Sequence, residues 1–277
     1  MNLPLPNLRS PRAQTIAAFI ALSLNACVHA APPSLIDLGS ANGVTPSRDV
    51  LLSASGVITC SADDPGFGPY GRTIPFIWSE TTGLRQISGL GGNYVSVDRI
   101  NSQGTFVGLS SLPGDATYHL FLGSLNTSPV DIAPPGIDQL ASFDLNVRSQ
   151  VVGYYYDPNN NFSMSGYVWD PSVGFQDVGP LPPGHRQAIA TGISDSGLVA
   201  GNAVSDSNAA YCFIWDSVNG IRDISAGIAN NVNNPVIGRS GVVVAPGNSA
   251  TSGGRGFFVW DAIRGGGDSS RFQVEWL

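Results

Sequence analysis

Paired carboxylates are the first residues to examine for chemistry, because two acids that flank a sugar bond can hydrolyse it. The chain has only two glutamates, Glu80 in a predicted tight turn and Glu275 near the end of the sequence. Three aspartates, Asp131, Asp177 and Asp223, recur at one position of an internal repeat. A catalytic residue is needed once, so this recurrence indicates a structural task. We therefore predict no catalytic residue and keep a glycoside-active enzyme using aspartates as the alternative function.

Histidine and cysteine chemistry is not favoured either. His119 falls in a predicted strand and His185 in a loop, and the chain has no Gly-x-Ser-x-Gly turn to present a nucleophile. Cys60 and Cys212 lack the spacing of a zinc site, so we predict no metal ligands. They belong to the first and fourth copies of the repeat, and we expect them not to be bonded to each other.

One polar loop and one aromatic run could contact a ligand. Asp157, Asn159 and Asn161 place oxygen atoms at alternate positions, as a calcium loop does, but the turn Gly and the closing Glu are missing. We predict no cofactor and keep calcium as a weak alternative. The three tyrosines 154–156 could form a platform for a sugar. The preferred interpretation is a strand whose alternate side chains pack between sheets.

The elements that must position these residues repeat about every 46 residues. An aromatic-aliphatic-Trp string begins at Phe76, Tyr167, Phe213 and Phe258, with a degenerate copy at Leu120, and successive copies lie 44, 47, 46 and 45 residues apart. A Gly-x-x-x-Gly string runs in step, most clearly at 104–108 and 197–201 and more weakly at 56–60, 149–153 and 241–245. Two markers that share one period over five copies predict a single repeat domain over residues 31–277.

Each copy resolves into four strand-like stretches, and no segment has a sustained helical period. In the fourth copy these stretches are 188–194, 198–204, 211–215 and 221–224. Four antiparallel strands in a repeat of this length, with one aromatic each, predict an all-β five-bladed β-propeller. An open stack of small sheets or a β-solenoid is the alternative. The last copy ends in a weak strand, 272–276, and we expect the two ends of the array to be adjacent, with Ile36 near Phe258.

The loops of such blades predict where a ligand binds. Turns after the first and third strands lie on one side of the blades, and those after the second and fourth strands lie on the other. The second set is longer and richer in polar residues, and binding residues concentrate on loops held by a rigid scaffold. The candidate ligand-binding residues on this side are Asp63, Asp64, Tyr70, Asp157, Asn159, His185 and Arg186.

The repeat resembles that of the bacterial extracellular HAF-repeat family. Residues 100–108 are similar to its Ile-Asn-x-x-Gly-x-Val-Val-Gly segment, 119–122 partly match its His-Ala-Phe-Leu-Trp segment, and 36–39, 87–92 and 177–181 are similar to its Asp-Leu-Gly segment. The other copies replace the His-Ala pair. The resemblance implies export and a propeller-like fold, and it implies no particular reaction.

The start of the chain and its charge bear on location and partners. Residues 1–30 have two arginines and then an apolar run, 16–24, and are predicted to be a signal peptide cleaved before Ala31. A lipoprotein anchored through Cys27 is the alternative. The net charge is -7, which excludes a nucleic-acid role. We predict an extracellular or periplasmic binding or structural module whose partner is a glycan or a cell-surface protein, with no transmembrane segment in the mature chain.

Overall fold

The computed structural model describes residues 35–64, 66, 72–158, 163–179, 184–226, 229–250 and 252–261. The chain divides into two compact units, residues 1–37 and 38–277, and every strand among the described residues lies in the second. The predicted signal peptide, Tyr70, Asn159, Asn161 and the weak strand 272–276 lie outside the described residues. The predicted proximity of Ile36 to Phe258 stays a prediction.

The described residues form five antiparallel sheets, one for each copy of the repeat, and we number these blades 1 to 5. Blade 1 contains β1 (Arg48–Leu52), β2 (Ile58–Asp63), β3 (Thr73–Ser79) and β4 (Gly83–Gln86). Blade 2 contains β5 (Val95–Ile100), β6 (Phe106–Ser111), β7 (Tyr118–Ser124) and β8 (Thr127–Asp131). Blade 3 contains β9 (Leu140–Leu145), β10 (Val151–Asp157), β11 (Ser163–Asp170) and β12 (Gly174–Asp177). Blade 4 contains β13 (His185–Ile193), β14 (Val199–Ser205), β15 (Ala210–Asp216) and β16 (Gly220–Asp223).

Blade 5 departs from the four-stranded pattern. It contains β17 (Ala229–Asn230), β18 (Val236–Ile237), β19 (Val242–Ser249) and β20 (Arg255–Asp261). Both β17 and β18 pair with the same edge of β19, while β20 pairs with its other edge. The first strand of this blade is therefore split into two short pieces, and its described part is three strands wide.

The prediction of an all-β fold made of five antiparallel blades is confirmed. No helix occurs among the residues that the structure describes, so none of them forms a helix able to cross a membrane. The strands of blade 4 begin and end within three residues of the stretches predicted from the sequence.

The aromatic marker forms the contacts between blades. Its first residue packs toward the preceding blade, and the residue after it packs toward the following one. In blade 2 the first marker residue is Phe121, and not Leu120 as the sequence predicts, because Phe121 pairs with Gly108 as Tyr167 pairs with Gly153. Four buried clusters each combine the second marker residue of one blade with the first of the next: Ile77 with Phe121, Leu122 with Tyr167, Val168 with Phe213, and Ile214 with Phe258. The alternation of side chains along a strand explains why one string serves two interfaces.

The glycine that ends the second marker allows the first two strands of a blade to approach closely. A Cβ atom at Gly108, Gly153 or Gly201 would collide with the carbonyl oxygen of a first-strand residue. The ladder register shifts opposite each of these glycines, which leaves one extra residue in the first strand, a β-bulge. The bulged residues are Asp98, Phe143 and Thr191.

Blades 1 and 5 lack this glycine, and their first strands are irregular in other ways. Cys60 takes the glycine position of blade 1, and Asp49 opposite it adopts a left-handed φ of 54°. Ala245 takes the position in blade 5, where the first strand is split. Where a side chain replaces the glycine of the second strand, the first strand of the blade therefore follows a different path from that in blades 2 to 4.

The asparagine of the Ile-Asn-x-x-Gly segment links successive blades. The Oδ1 atom of Asn146 accepts hydrogen bonds from the backbone N–H groups of Arg148 and Gln150, each 3.0 Å long, and so closes the turn. Its Nδ2 atom donates to the backbone oxygen of Ser194 in blade 4, at 2.9 Å. Asn101 makes the equivalent bonds, with its own amide donating to the backbone oxygen of Asn146.

Candidate functional site

The structure places the described loop candidates on the side of the blades that the sequence predicts. Asp63 and Asp157 end the second strands of blades 1 and 3, and His185 and Arg186 begin the first strand of blade 4. Because successive strands run up and down, these strand ends lie on one side of their sheets. Whether they bind a ligand stays a prediction.

The described loop candidates are engaged mostly within their own blades. Asp63 forms an ion pair of 2.6 Å with Arg48, and Asp64 forms one of 3.1 Å with Arg72. Asp64 and Arg72 also line a cavity of about 340 Å³ together with the glycine-rich stretch 89–92. Arg186 donates a hydrogen bond to the side chain of Asn208. The structure thus distributes the candidates over three blades rather than gathering them into one cluster.

A larger cavity, of about 590 Å³, lies beside the first strands of blades 1 to 3, and we call it the first-strand cavity. Its walls include Arg48, Asp49 and Val50 of β1, Asp98 and Arg99 of β5, and Ser142 and Phe143 of β9. None of the described residues that the sequence predicts to bind a ligand lines this cavity. The sequence gives one indication of it: the first strands of blades 1 to 3 are copies of one repeat element, yet the residues that line the cavity differ in type from copy to copy.

Asp98 is the carboxylate most enclosed by this cavity. It is the bulged residue of β5, and its Oδ2 atom accepts a hydrogen bond of 2.9 Å from the Ser142 hydroxyl of blade 3. Burial raises the pKa of the Asp98 carboxyl, while the Ser142 hydrogen bond and the charge of Arg99 act in the opposite direction. The Arg99 Nε atom donates to the backbone oxygen of Phe143 at 2.7 Å, so the guanidinium is held at the wall.

Asp49 is a second carboxylate of the first-strand cavity. Its Oδ2 atom accepts a hydrogen bond from the Ser61 hydroxyl and lies 3.2 Å from the Arg48 Nε atom. Arg48 also pairs with Asp63. The charges of Arg48 and Asp49 are therefore matched by partners on blade 1.

Half-buried aromatic side chains extend from the cavity along blade 3. The Phe143 ring lies 5.6 Å from the Tyr154 ring, which lies 5.6 Å from the Tyr156 ring, measured between centroids. Tyr155 points to the opposite face, where it is buried and donates to an oxygen of Asp177 at 2.6 Å. The predicted alternation of the tyrosines is confirmed, and it leaves Tyr154 and Tyr156 in a row that leads from the cavity to Asp157.

The recurring aspartates have the structural task that their repetition indicates. Asp131, Asp177 and Asp223 each accept a hydrogen bond from the backbone N–H group two residues later, at 3.0, 2.6 and 2.8 Å. His119 is held by Asp131, with 2.8 Å between its Nδ1 atom and a carboxylate oxygen. These bonds fix the chain as it leaves the fourth strand of each blade.

The structure agrees with the prediction for the cysteines. Both thiols are buried and free. Among the described residues, no three His, Cys, Asp or Glu side chains form a group that could hold a metal ion. Asn159 and Asn161 lie outside the described residues, and the weak calcium alternative stays a prediction.

Comparison with known proteins gives similarity of fold only. No protein-family profile matches the chain, and no curated protein matches it. TolB from Acinetobacter baumannii is 10% identical, with a TM-score of 0.47 over 79% of this chain and 53% of that one. A puromycin-hydrolysing peptidase of Mycobacterium tuberculosis is 12% identical, with a TM-score of 0.47 over 79% of this chain and 38% of that one. Dipeptidyl peptidase 4 of Porphyromonas gingivalis is 9% identical, with a TM-score of 0.44 over 82% of this chain and 46% of that one.

The five antiparallel blades define the class of the chain, an all-β protein of the β-propeller type. It is distantly similar to the β-propeller domains of the solved structures, and it spans about half of their length or less. Membership of the HAF-repeat family stays a prediction.

Proposed function

We propose that this chain is an exported binding module, secreted or associated with the cell envelope, whose ligand occupies the first-strand cavity. The observation that carries the proposal is a cavity of about 590 Å³ whose walls include residues of the first strands of three blades. Ligand pockets of proteins measure about 300–1,000 Å³ and place a few polar groups among apolar walls. The predicted signal peptide, residues 1–30, supports export.

Export is tested by the intact mass of the protein recovered outside the cytoplasm. We expect a chain that begins at Ala31. A chain that begins at Cys27 and carries acyl mass would establish the lipoprotein alternative. Retention of the uncleaved chain in the cytoplasm would contradict export.

Binding is tested by blocking the cavity with a bulky side chain. Val50 lines the cavity and is exposed, so Val50→Trp adds bulk without disturbing a buried site. Val173→Trp is the matched control, at an equally exposed valine in the turn after β11. We expect some member of a panel of oligosaccharides, peptides and envelope proteins to raise the Tm of the native protein and of Val173→Trp, but not of Val50→Trp. An equal rise in both variants, or none with any member, would contradict the proposal.

A glycoside-active enzyme is the second candidate, because the cavity holds two carboxylates in different environments. The pKa of Asp98 is raised by burial, as a general acid requires, and Asp49 lines the same cavity. This candidate predicts release of reducing sugar from one member of a glycan panel, and loss of that release in Asp98→Asn and in Asp49→Asn. No release from any member would exclude it.

A further inference from the structure

We infer that the first-strand cavity binds a neutral saccharide chain, whose hydroxyl groups contact Asp98 and whose ring faces pack on Phe143 and Tyr154. The inference rests on the proposed function, since it names the ligand class of the same site. Three features of the described residues carry it: the polar groups of the wall, the aromatic row beside them and the balance of charge.

The polar groups of the wall suit hydroxyl groups. A carboxylate accepts from sugar hydroxyls, and Asp98 has a fixed orientation because Ser142 of the next blade donates to its Oδ2 atom. The Ser96 hydroxyl also lines the cavity and can both donate and accept. Asp98, the bulged residue of β5, thus supplies an acceptor, and Ser96 two residues earlier supplies a hydroxyl that lies 3.4 Å from Asp98 Oδ1. An acceptor and a hydroxyl side by side are the kind of groups that a polyhydroxylated ligand needs.

The aromatic row suits the faces of sugar rings. Sugar rings have apolar C–H faces that pack on aromatic side chains, and Phe143, Tyr154 and Tyr156 are half-buried rather than enclosed. Their rings follow one another at 5.6 Å along blade 3, from the cavity toward Asp157. The planes of Phe143 and Tyr154 differ by 36°, whereas Tyr154 and Tyr156 meet edge to face at 85°, so Phe143 and Tyr154 are the two rings that offer neighbouring faces to a chain of sugar units.

The charge of the site favours a neutral ligand. Arg48 is paired with Asp49 and Asp63, so it offers no free positive charge to an acidic sugar. Arg99 lies beside Asp98 and donates to two backbone oxygens, one of them that of Phe143. An acidic polysaccharide would also approach a chain with a net charge of -7. A cationic peptide would find each carboxylate of the cavity already engaged by an arginine or a serine.

Calorimetric titration of the mature protein with four probes tests the inference. The probes are maltohexaose and cellohexaose as neutral chains, hexagalacturonate as an acidic chain, and hexalysine as a cationic one. We expect at least one neutral chain to bind, and its affinity to fall at least tenfold in Asp98→Asn and in Phe143→Leu. Glu80→Gln removes one exposed carboxylate from a tight turn of blade 1 and is the matched control, expected to bind within twofold of the native protein.

The outcomes separate this inference from the proposed function. Binding of only the acidic or the cationic probe would overturn the inference, and so would neutral binding that survives both Asp98→Asn and Phe143→Leu. If the ligand that Val50→Trp blocks is a peptide or an envelope protein of the wider panel, and no neutral saccharide binds, the inference fails and the proposed function stands. If no member of either panel binds, both fail. Melting temperatures of both site variants show whether each is folded, and either folded variant suffices for the test.

Discussion

At the scale of single residues, Asn146 combines two tasks that serine performs only in part. Ser53 and Ser194 occupy the equivalent positions in blades 1 and 4, and each accepts from the backbone N–H group four residues later. Serine thus closes the turn, but it is too short to donate to the next blade as the Asn146 amide does. The residue type at this position therefore decides whether its side chain adds a link between blades. In blades 1 and 4 the turn is joined to the next blade by backbone bonds, from the Ser55 N–H to the Ser102 oxygen and from the Asp195 N–H to the Arg239 oxygen.

We predict that Asn146→Ser lowers the free energy of unfolding by about 1–2 kcal/mol, because the amide loses its buried hydrogen bonds to the Ser194 oxygen of the next blade and to Gln150 Oε1. Asn146→Ala removes the turn bonds as well and should lower it by about 3 kcal/mol. Urea unfolding measures both, with Asn219→Ser in an exposed turn as the control. Equal losses in the serine and alanine variants would show that serine does not restore the turn.

The raised pKa of Asp98 predicts how the stability of the protein depends on pH. Its pKa in the folded protein is raised above the ordinary value of 3.8, mainly by burial. The stability contributed by the protonated carboxyl is therefore complete below pH 3.8 and is lost as the pH rises through the folded-state pKa. We expect Asp98→Asn to be more stable than the native protein at pH 7, with a difference that shrinks as the pH falls toward 3. Unfolding curves of the pair across this range measure it. A difference that is constant or reversed would contradict the assigned direction.

The two cysteines should be unreactive in the folded protein. Burial raises the pKa of both thiols, that of Cys212 to about 12, with the Asp223 charge as a further cause. Since the thiolate is the reactive form, we expect no rapid reaction with a thiol reagent at pH 8. In denaturant, the chain that begins at Ala31 should release two thiols. Rapid reaction of the folded protein would contradict the burial, and no thiols in denaturant would indicate a disulfide.

At the scale of the elements, the glycine of the second strand controls the path of the first. Gly153→Ala would place a Cβ against the carbonyl oxygen of Ala141, which is backbone and cannot rotate away. We predict that this variant lowers the free energy of unfolding by about 2–3 kcal/mol, as overpacking does elsewhere. Ala245→Gly changes the same repeat position in blade 5, removes one buried methyl group and should cost about 1–2 kcal/mol. Denaturant unfolding compares the two, and equal losses would show that the close approach is not the cause.

The same glycine shows what the sequence could and could not predict. The strands, turns and order of the blades were predictable because their residues recur, as the aromatic marker and the turn glycines do. The bulges were not, since Gly108 and its equivalents also fit an ordinary strand. The cavity was hidden for a related reason. Asp98, Phe143 and Thr191 share one bulge position but have unrelated side chains, so a search for recurring residues overlooks them.

At the scale of the whole molecule, each of blades 1 to 4 buries its second marker residue against the next blade, whereas this face of blade 5 is exposed. The second marker residue is buried in blades 1 to 4 by the aromatic residue of the next blade. In blade 5 the equivalent residue, Val259, is 38% exposed, and the neighbouring Phe257 is 52% exposed. At the other end of the series, Leu52 of blade 1 is exposed while its equivalents Leu145 and Ile193 are buried. The first and last blades thus carry apolar surface that the interior blades cover.

Val168 and Val259 are the same residue type at the same position of the repeat, and they differ in exposure, 2% against 38%. Val168→Thr buries a hydroxyl between blades 3 and 4 and should lower the free energy of unfolding by about 1–3 kcal/mol. Val259→Thr places the hydroxyl in solvent, so its effect should stay within about 0.5 kcal/mol. Urea unfolding of both variants at one pH measures the contrast. If Val259→Thr proved as destabilising as Val168→Thr, this face of blade 5 would have to be covered in solution. The side of blade 1 that exposes Leu52 has apolar surface that could cover it.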